Sequence, residues 1–204
     1  MKRFDCMQIL VSKLAEDSIV LSTLANTAHM LQKLRPSDAN FFPLNLGCCT
    51  ATALGLALAL PHRRIVALDS DGNMLLNLSV LPDLANQNPP NLGIVLFDNE
   101  AYDASGGLPS ATAGKGDLAA LAKAAGINQP VTCRSLAEFE QSVGDLLNAS
   151  ETAFLVAKVE KDGQFFNPPT PYNFQENKFR FARYIERTEG VTMITRLDHL
   201  KVIL

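Results

Sequence analysis

The sequence predicts an α/β protein, a three-layer sandwich in which helices cover both faces of a central parallel sheet. Two observations carry this. Short runs rich in Val, Ile and Leu alternate with longer segments of helical periodicity, and the runs are too continuously apolar to leave one face in water. The 204-residue chain is 47% apolar and 19% charged, enough for one substantial core and too apolar for disorder.

The elements follow in order. Residues 4–15 read as a helix, and the preceding Met1-Lys2-Arg3 leads into a segment with polar residues every few positions, unlike the unbroken apolar stretch of a signal peptide. A strand at 19–22 and a helix at 27–34 come next. The helix predicted over 50–60 contains the longest apolar run, far short of the roughly 18 residues a membrane span needs. Strands at 64–69 and 92–97 flank a helix at 74–86, which stops before Pro89-Pro90. Helices at 117–125 and 135–148 bracket a strand at 131–133, and a strand at 153–159 closes the alternation. Right-handed crossovers between these strands set all their C-terminal ends along one edge, where ligands of open parallel sheets bind.

Residues 1–163 therefore form the binding domain. Asn167-Pro168-Pro169-Thr170-Pro171 then acts as a stiff linker. A charged amphipathic helix over 174–187 carries Phe174, Phe179, Phe181 and Tyr184, and an apolar tail, Val202-Ile203-Leu204, follows. This part, 164–204, is expected to pack on the domain or on a partner. The run Lys178-Phe179-Arg180-Phe181-Ala182-Arg183 fits one helix with an apolar stripe.

The net charge of −3 and a pI near 5.6 provide no basic face for a phosphate backbone, so neither nucleic acid nor membrane is an expected partner. A small molecule is, and the cytoplasm is the expected location. Cys6, Cys48, Cys49 and Cys133 make no CxxC pair and read as reduced thiols packed like small apolar groups.

The strongest chemical signal is Asp69-Ser70-Asp71-Gly72-Asn73, directly after one predicted strand, with Asp98-Asn99-Glu100 directly after the next. Neighbouring strands would bring Asp71 and Asn99 out side by side. A carboxylate and an amide oxygen suit a hard cation, and magnesium favours few protein oxygens alongside substrate phosphates and water. Gly72 permits close backbone approach, and the following helix start offers free N–H groups to a phosphate. Either segment alone would read as an ordinary turn and helix cap. Together, one βα unit apart, they describe a metal-bridged diphosphate site.

The spacing from Asp71-Gly72 to Asn99, just under thirty residues, resembles the thiamine-diphosphate fingerprint. With Gly47-Cys48-Cys49-Thr50 before it and Tyr102, Ser105-Gly106-Gly107 and Asp117-Leu118 after it, the stretch from about 41 to 158 resembles the diphosphate-binding half of sulfopyruvate and phosphonopyruvate decarboxylases. That resemblance implies the thiamine-diphosphate-binding fold, with Mg2+ held by Asp71, Asn99 and the Ala101 carbonyl. It further implies cofactor contacts from Ser70, Gly72, Asn73 and Tyr102, and from Gly47, Cys48 and Cys49. Here Gly47 would accept a hydrogen bond from the aminopyrimidine and Cys49 would prop the bent cofactor.

Three segments depart from the family pattern: Ser70 stands for a glycine, Cys49 and Thr50 for a larger apolar residue and a glycine, and Asp103 to Leu108 for Gly-Ser-Thr-Gly-Gly-Gln. The family also needs a second domain carrying a glutamate for the pyrimidine ring, for which the chain lacks room. The resemblance thus implies a β-type subunit of a 2-oxo acid decarboxylase, with no catalytic glutamate of its own. An α-type pyrimidine-binding partner would complete it, as α2β2. The alternatives are a 2-oxoacid oxidoreductase β subunit and a non-catalytic thiamine-diphosphate-binding protein. His29 reads as a structural, partly exposed histidine, and Lys115 and Lys123 as solvated surface lysines.

Overall fold

The computed structural model describes residues 1–43, 45–162 and 173–193. Its strands are β1 (Ile19–Ser22), β2 (Asn40–Phe41), β3 (Ile65–Ser70), β4 (Leu92–Asp98), β5 (Ala101–Tyr102), β6 (Leu108–Pro109), β7 (Val131–Cys133) and β8 (Ala153–Lys158). Its helices are α1 (Arg3–Lys13), α2 (Asn26–Leu34), α3 (Cys49–Ala59), α4 (Asp71–Leu75), α5 (Val80–Gln87), α6 (Leu118–Ala124), α7 (Leu136–Leu147) and α8 (Phe174–Glu189).

Six strands form one parallel sheet in the order β2-β1-β3-β4-β8-β7, and β5 and β6 make a separate antiparallel hairpin. Strand residues alternate between two cores. Ile65, Ala67, Ile94 and Leu96 meet α3, α5, α6 and α8 on one face, while Val66, Leu68, Val95 and Phe97 meet α1, α2 and α7 on the other. That is the predicted three-layer sandwich, and full burial of each such Leu, Ile or Phe contributes about 1.5–3 kcal/mol. No described helix is long and apolar enough to cross a membrane.

The predicted helix over 74–86 is two helices instead. The first begins earlier, at Asp71, and the second resumes at Val80 after a break over 76–79. Pro82 supplies the reason: in one continuous helix it would clash with the carbonyl of Leu78, whereas in the first turn of α5 its missing N–H has no partner to lose. The two-residue β2 was not anticipated, because no run of strand-forming residues marks it. Its free edge is covered by a side chain: Asn177 of α8 donates to the Asn40 carbonyl at 2.8 Å and accepts from the Phe42 N–H at 3.0 Å. Phe41 stacks on Phe181 nearby, with ring centroids 4.8 Å apart. The Pro-rich linker and the Val202-Ile203-Leu204 tail lie outside the described residues.

Candidate functional site

The site begins with register. Strands β3 and β4 are hydrogen-bonded neighbours, with Ser70 opposite Phe97, so Asp71 and Asn99 leave adjacent strands at the same edge of the sheet. Both are nearly buried, at 1% and 5% exposure. They border a cavity of about 680 Å3, which Ser70, Gly72, Asn73, Ala101 and Tyr102 also line. Seven of the ten residues singled out in the sequence thus share one cavity wall.

Local chemistry explains the shape of this wall. Ser70 has extended backbone, φ −130°, so the absence of a glycine there costs no strain, and its Oγ caps α4 by accepting from the Asn73 N–H at 3.3 Å. A Cβ on Gly72 would stand 2.8 Å from the Tyr102 ring, so only glycine lets that ring lie against the turn. With only five residues, α4 offers a phosphate little cumulative dipole. The Asn73 side chain is already committed, donating to Asp69 Oδ1 at 2.6 Å and accepting from the Gly47 N–H at 2.7 Å. The Asn73 backbone N–H is held too, though more loosely, by the 3.3 Å cap from Ser70.

Gly47, Cys48 and Cys49 lie just behind the wall rather than on it. Gly47 adopts φ +76°, a left-handed conformation that favours glycine, and its carbonyl accepts from Asn77 Nδ2 at 2.9 Å. Cys49 points into the core, with its Sγ 3.7 Å from the Leu68 carbonyl, and burial pushes its thiol well above the ordinary value. It packs as a small neutral group, as do the buried Cys6 and Cys133; Cys48 is half-buried, and all four thiols are free. Thr50, in place of a glycine, donates to Asp69 Oδ2 at 2.6 Å and so ties α3 to the end of β3.

The second loop turns sharply. Glu100 has φ +60°, unusual for a residue with a side chain, and sets Asn99 and Ala101 on either side of the reversal. Asn99 Nδ2 donates to Asp103 at 2.6 Å, while its Oδ1 accepts from the Ala101 N–H at 3.2 Å. A carboxylate, an amide oxygen and a backbone carbonyl on one cavity are the oxygen types that Mg2+ takes alongside phosphates and water. Burial raises the Asp71 carboxyl above the ordinary carboxylate range and Asp98 adds to this, against hydrogen bonds from Ser110, Gly72 and Thr112. A cation would relieve that desolvation.

Sequence reasoning missed Asp69, Asn77, Ser110 and Thr112. Asp69 is 1% exposed, with its carboxyl raised by burial despite donors from Thr50, Ser70 and Asn73. It organises the wall without facing the cavity. Its local partners, Ser70 and Asn73, look like an ordinary turn, and the tie to α3 comes from Thr50, 19 residues away. His29 is not among the cavity residues, Lys115 and Lys123 are exposed, and His199 lies outside the described residues.

A parallel α/β sandwich with a polar-walled cavity at the C-terminal ends of adjacent strands is the architecture in which open parallel sheets bind their ligands. Residues 23–157 match the C-terminal TPP-binding domain of the thiamine pyrophosphate enzymes, and the chain belongs to that family. It is 30% identical over 192 residues to a protein of Methanocaldococcus jannaschii named sulfopyruvate decarboxylase subunit beta, covering 92% of this chain and 98% of that one. Phosphonopyruvate decarboxylase of Streptomyces viridochromogenes is 30% identical over 146 residues, covering 71% of this chain and 36% of that one. The chain is thus a decarboxylase-type subunit within the family. Among solved structures, the thiamine diphosphate-dependent 4-hydroxybenzoylformate decarboxylase of Rhodococcus jostii superposes with a TM-score of 0.67 at 18% identity. That likeness covers 80% of this chain and 33% of the other, so the fold corresponds to about a third of the larger enzyme.

Proposed function

We propose that the chain is the β-type subunit of a thiamine-diphosphate-dependent decarboxylase acting on a 2-oxo acid with an anionic tail, of the sulfopyruvate or phosphonopyruvate kind. Asp71, Asn99 and the Ala101 carbonyl hold Mg2+, and the turn at Gly72 and Asn73 receives the diphosphate, which would take over the Asn73 N–H from its 3.3 Å contact with Ser70 Oγ. Gly47, whose carbonyl is held by Asn77 behind the wall, would reach the aminopyrimidine only with the carbonyl's second lone pair. Bound thiamine diphosphate supplies an electron sink for the pair left behind when carbon dioxide departs. The residues of this chain anchor the cofactor's charged end, and Tyr102 packs over Gly72 to close that end from one side.

The observation that carries this reading is the meeting of the Asp71 and Asn99 loops at adjacent strand ends, on one cavity, in a chain of this family. The catalytic glutamate comes from a cytoplasmic α-type partner, in an α2β2 assembly. Support for a covering subunit comes from the cavity's rim, where Leu46 and Leu76 are 64% and 62% exposed. Such apolar exposure fits an interface better than a free surface.

The test is co-purification of the tagged full chain with its partner, followed by assay of carbon dioxide release from sulfopyruvate, phosphonopyruvate and pyruvate. Release is expected only from the complex supplied with Mg2+ and thiamine diphosphate, and preferentially from the acids with anionic tails. Asp71→Ala is expected to abolish Mg2+-dependent cofactor uptake while the circular dichroism spectrum stays native. Turnover by the chain alone, or undiminished uptake by Asp71→Ala, would refute the reading.

A further inference from the structure

The geometry points to Ser110 as a positioning residue that assembles the cation site by fastening the two ligand-bearing loops to each other. This rests on the reading of Asp71, Asn99 and Ala101 as the Mg2+ ligands. Ser110 directly follows β6, the returning strand of the hairpin that begins at Ala101, and it is 5% exposed. Its backbone N–H donates to the Glu100 carbonyl at 3.1 Å, closing the hairpin between Asn99 and Ala101. Its side chain reaches the other loop, where Oγ donates to Asp71 Oδ2 at 2.6 Å, across 39 residues of chain. One residue thus holds the Asn99–Ala101 turn by its backbone and the Asp71 carboxylate by its hydroxyl.

That placement has a chemical consequence. With Oδ2 engaged by the Ser110 hydroxyl, the carboxylate is held in one orientation and cannot turn freely about its last bond. Thr112, 4% exposed and in the same short turn, sorts the neighbouring charge. Its hydroxyl donates to Asp98 Oδ1 at 2.7 Å, lying 2.8 Å from Ser110 Oγ and a longer 3.3 Å from Asp71 Oδ2, and the other Asp98 oxygen pairs with Lys158 Nζ at 2.7 Å. Asp98 is so committed to Lys158 and does not line the cavity, whereas Asp71 does. Groups that orient a metal ligand set affinity for the metal without touching it.

The experiment is a calorimetric titration of Mg2+ into the full chain at fixed thiamine diphosphate, with wild type, Ser110→Ala, Ser110→Thr and Ser110→Cys. Ser110→Ala is expected to raise the Mg2+ midpoint by roughly 10-fold or more, with affinity for the cofactor at saturating Mg2+ left near the wild-type value. Ser110→Thr keeps the hydroxyl and should restore the midpoint. Ser110→Cys keeps the volume with a poor donor and should resemble Ser110→Ala; it replaces that variant if alanine does not fold. An unchanged midpoint in Ser110→Ala or, failing that, Ser110→Cys overturns the proposal while leaving the Mg2+ reading intact. A threonine variant as defective as alanine overturns it too. No Mg2+-dependent uptake by the wild-type chain overturns both.

Discussion

Gly72 illustrates how one missing Cβ shapes the cavity wall. Its neighbour is the half-exposed Tyr102, whose ring would stand 2.8 Å from any added methyl, below the closest approach real side chains show. Gly72→Ala is therefore expected to displace the ring and to destabilise the chain by about 1–3 kcal/mol, the usual cost of overpacking. Truncating the ring removes the conflict, so in chemical denaturation the double variant Gly72→Ala/Tyr102→Ala should lose less than the two single losses added together. Strict additivity would show that the ring does not set the requirement for glycine. At this scale the sequence revealed the residues with a local signature: Asp71 and Gly72 after one strand, Asn99 after the next. It could not reveal the roles of Asn77 or Ser110, or the tie from Asp69 to Thr50, because these act across 30, 39 and 19 residues and each residue looks locally like an ordinary polar one.

The edge strand β2 shows the same division among elements. An edge strand leaves backbone groups unpaired, and here the buried Asn177 amide fills the place of a further strand with one donor and one acceptor. Asn177→Ala would strand a buried carbonyl and a buried N–H, so a loss of about 2–4 kcal/mol is expected in urea unfolding, whereas a loss near zero would mean that water replaces the amide. The central strands were legible because β3, β4 and β8 are long apolar runs buried on both faces. β2 was not, because two residues between Pro36 and Pro43 carry no period, and a side chain supplies its outer pairing. The break between α4 and α5 had a visible cause in Pro82, but the helical pattern of apolar residues runs through it. Tertiary demand decided the matter: Asn77, in the break, is turned back to the Gly47 carbonyl.

Across the whole molecule, charge is distributed between opposite ends of the sheet. The cavity lies at the C-terminal ends of the strands, with Asp69 and Asp71 both raised by burial. At the other end α8 is fastened where its last residue, Glu189, meets Arg63 and, at 2.8 Å, His62, just before β3. Arg63 also donates to the Asp17 carbonyl and the Tyr184 hydroxyl, so one guanidinium joins the loop before β1 to both α8 residues. Burial works against the charge on Glu189, but hydrogen bonds from His62, Thr188 and Arg63 outweigh it and hold the carboxyl below its ordinary value. A carboxyl depressed in the folded state contributes stability that is fully present above its unfolded value of about 4.5, and that stability is lost as pH falls through the lower folded value. Glu189→Gln should therefore lower the melting temperature by roughly 2–6 °C at neutral pH, the scale of one charge-assisted hydrogen-bond cluster in a chain of this length. The gap between variant and wild type should hold from pH 7 down to about 5 and close only below the ordinary carboxylate value. Because the cluster sits at the far end from the cavity, Mg2+-dependent cofactor uptake at pH 7 should be unaltered in the variant. A gap that stayed open well below the ordinary carboxylate value would mean that the Glu189 charge is not its source, and a loss of cofactor uptake would mean that the fastening of α8 also sets the geometry of the distant strand ends.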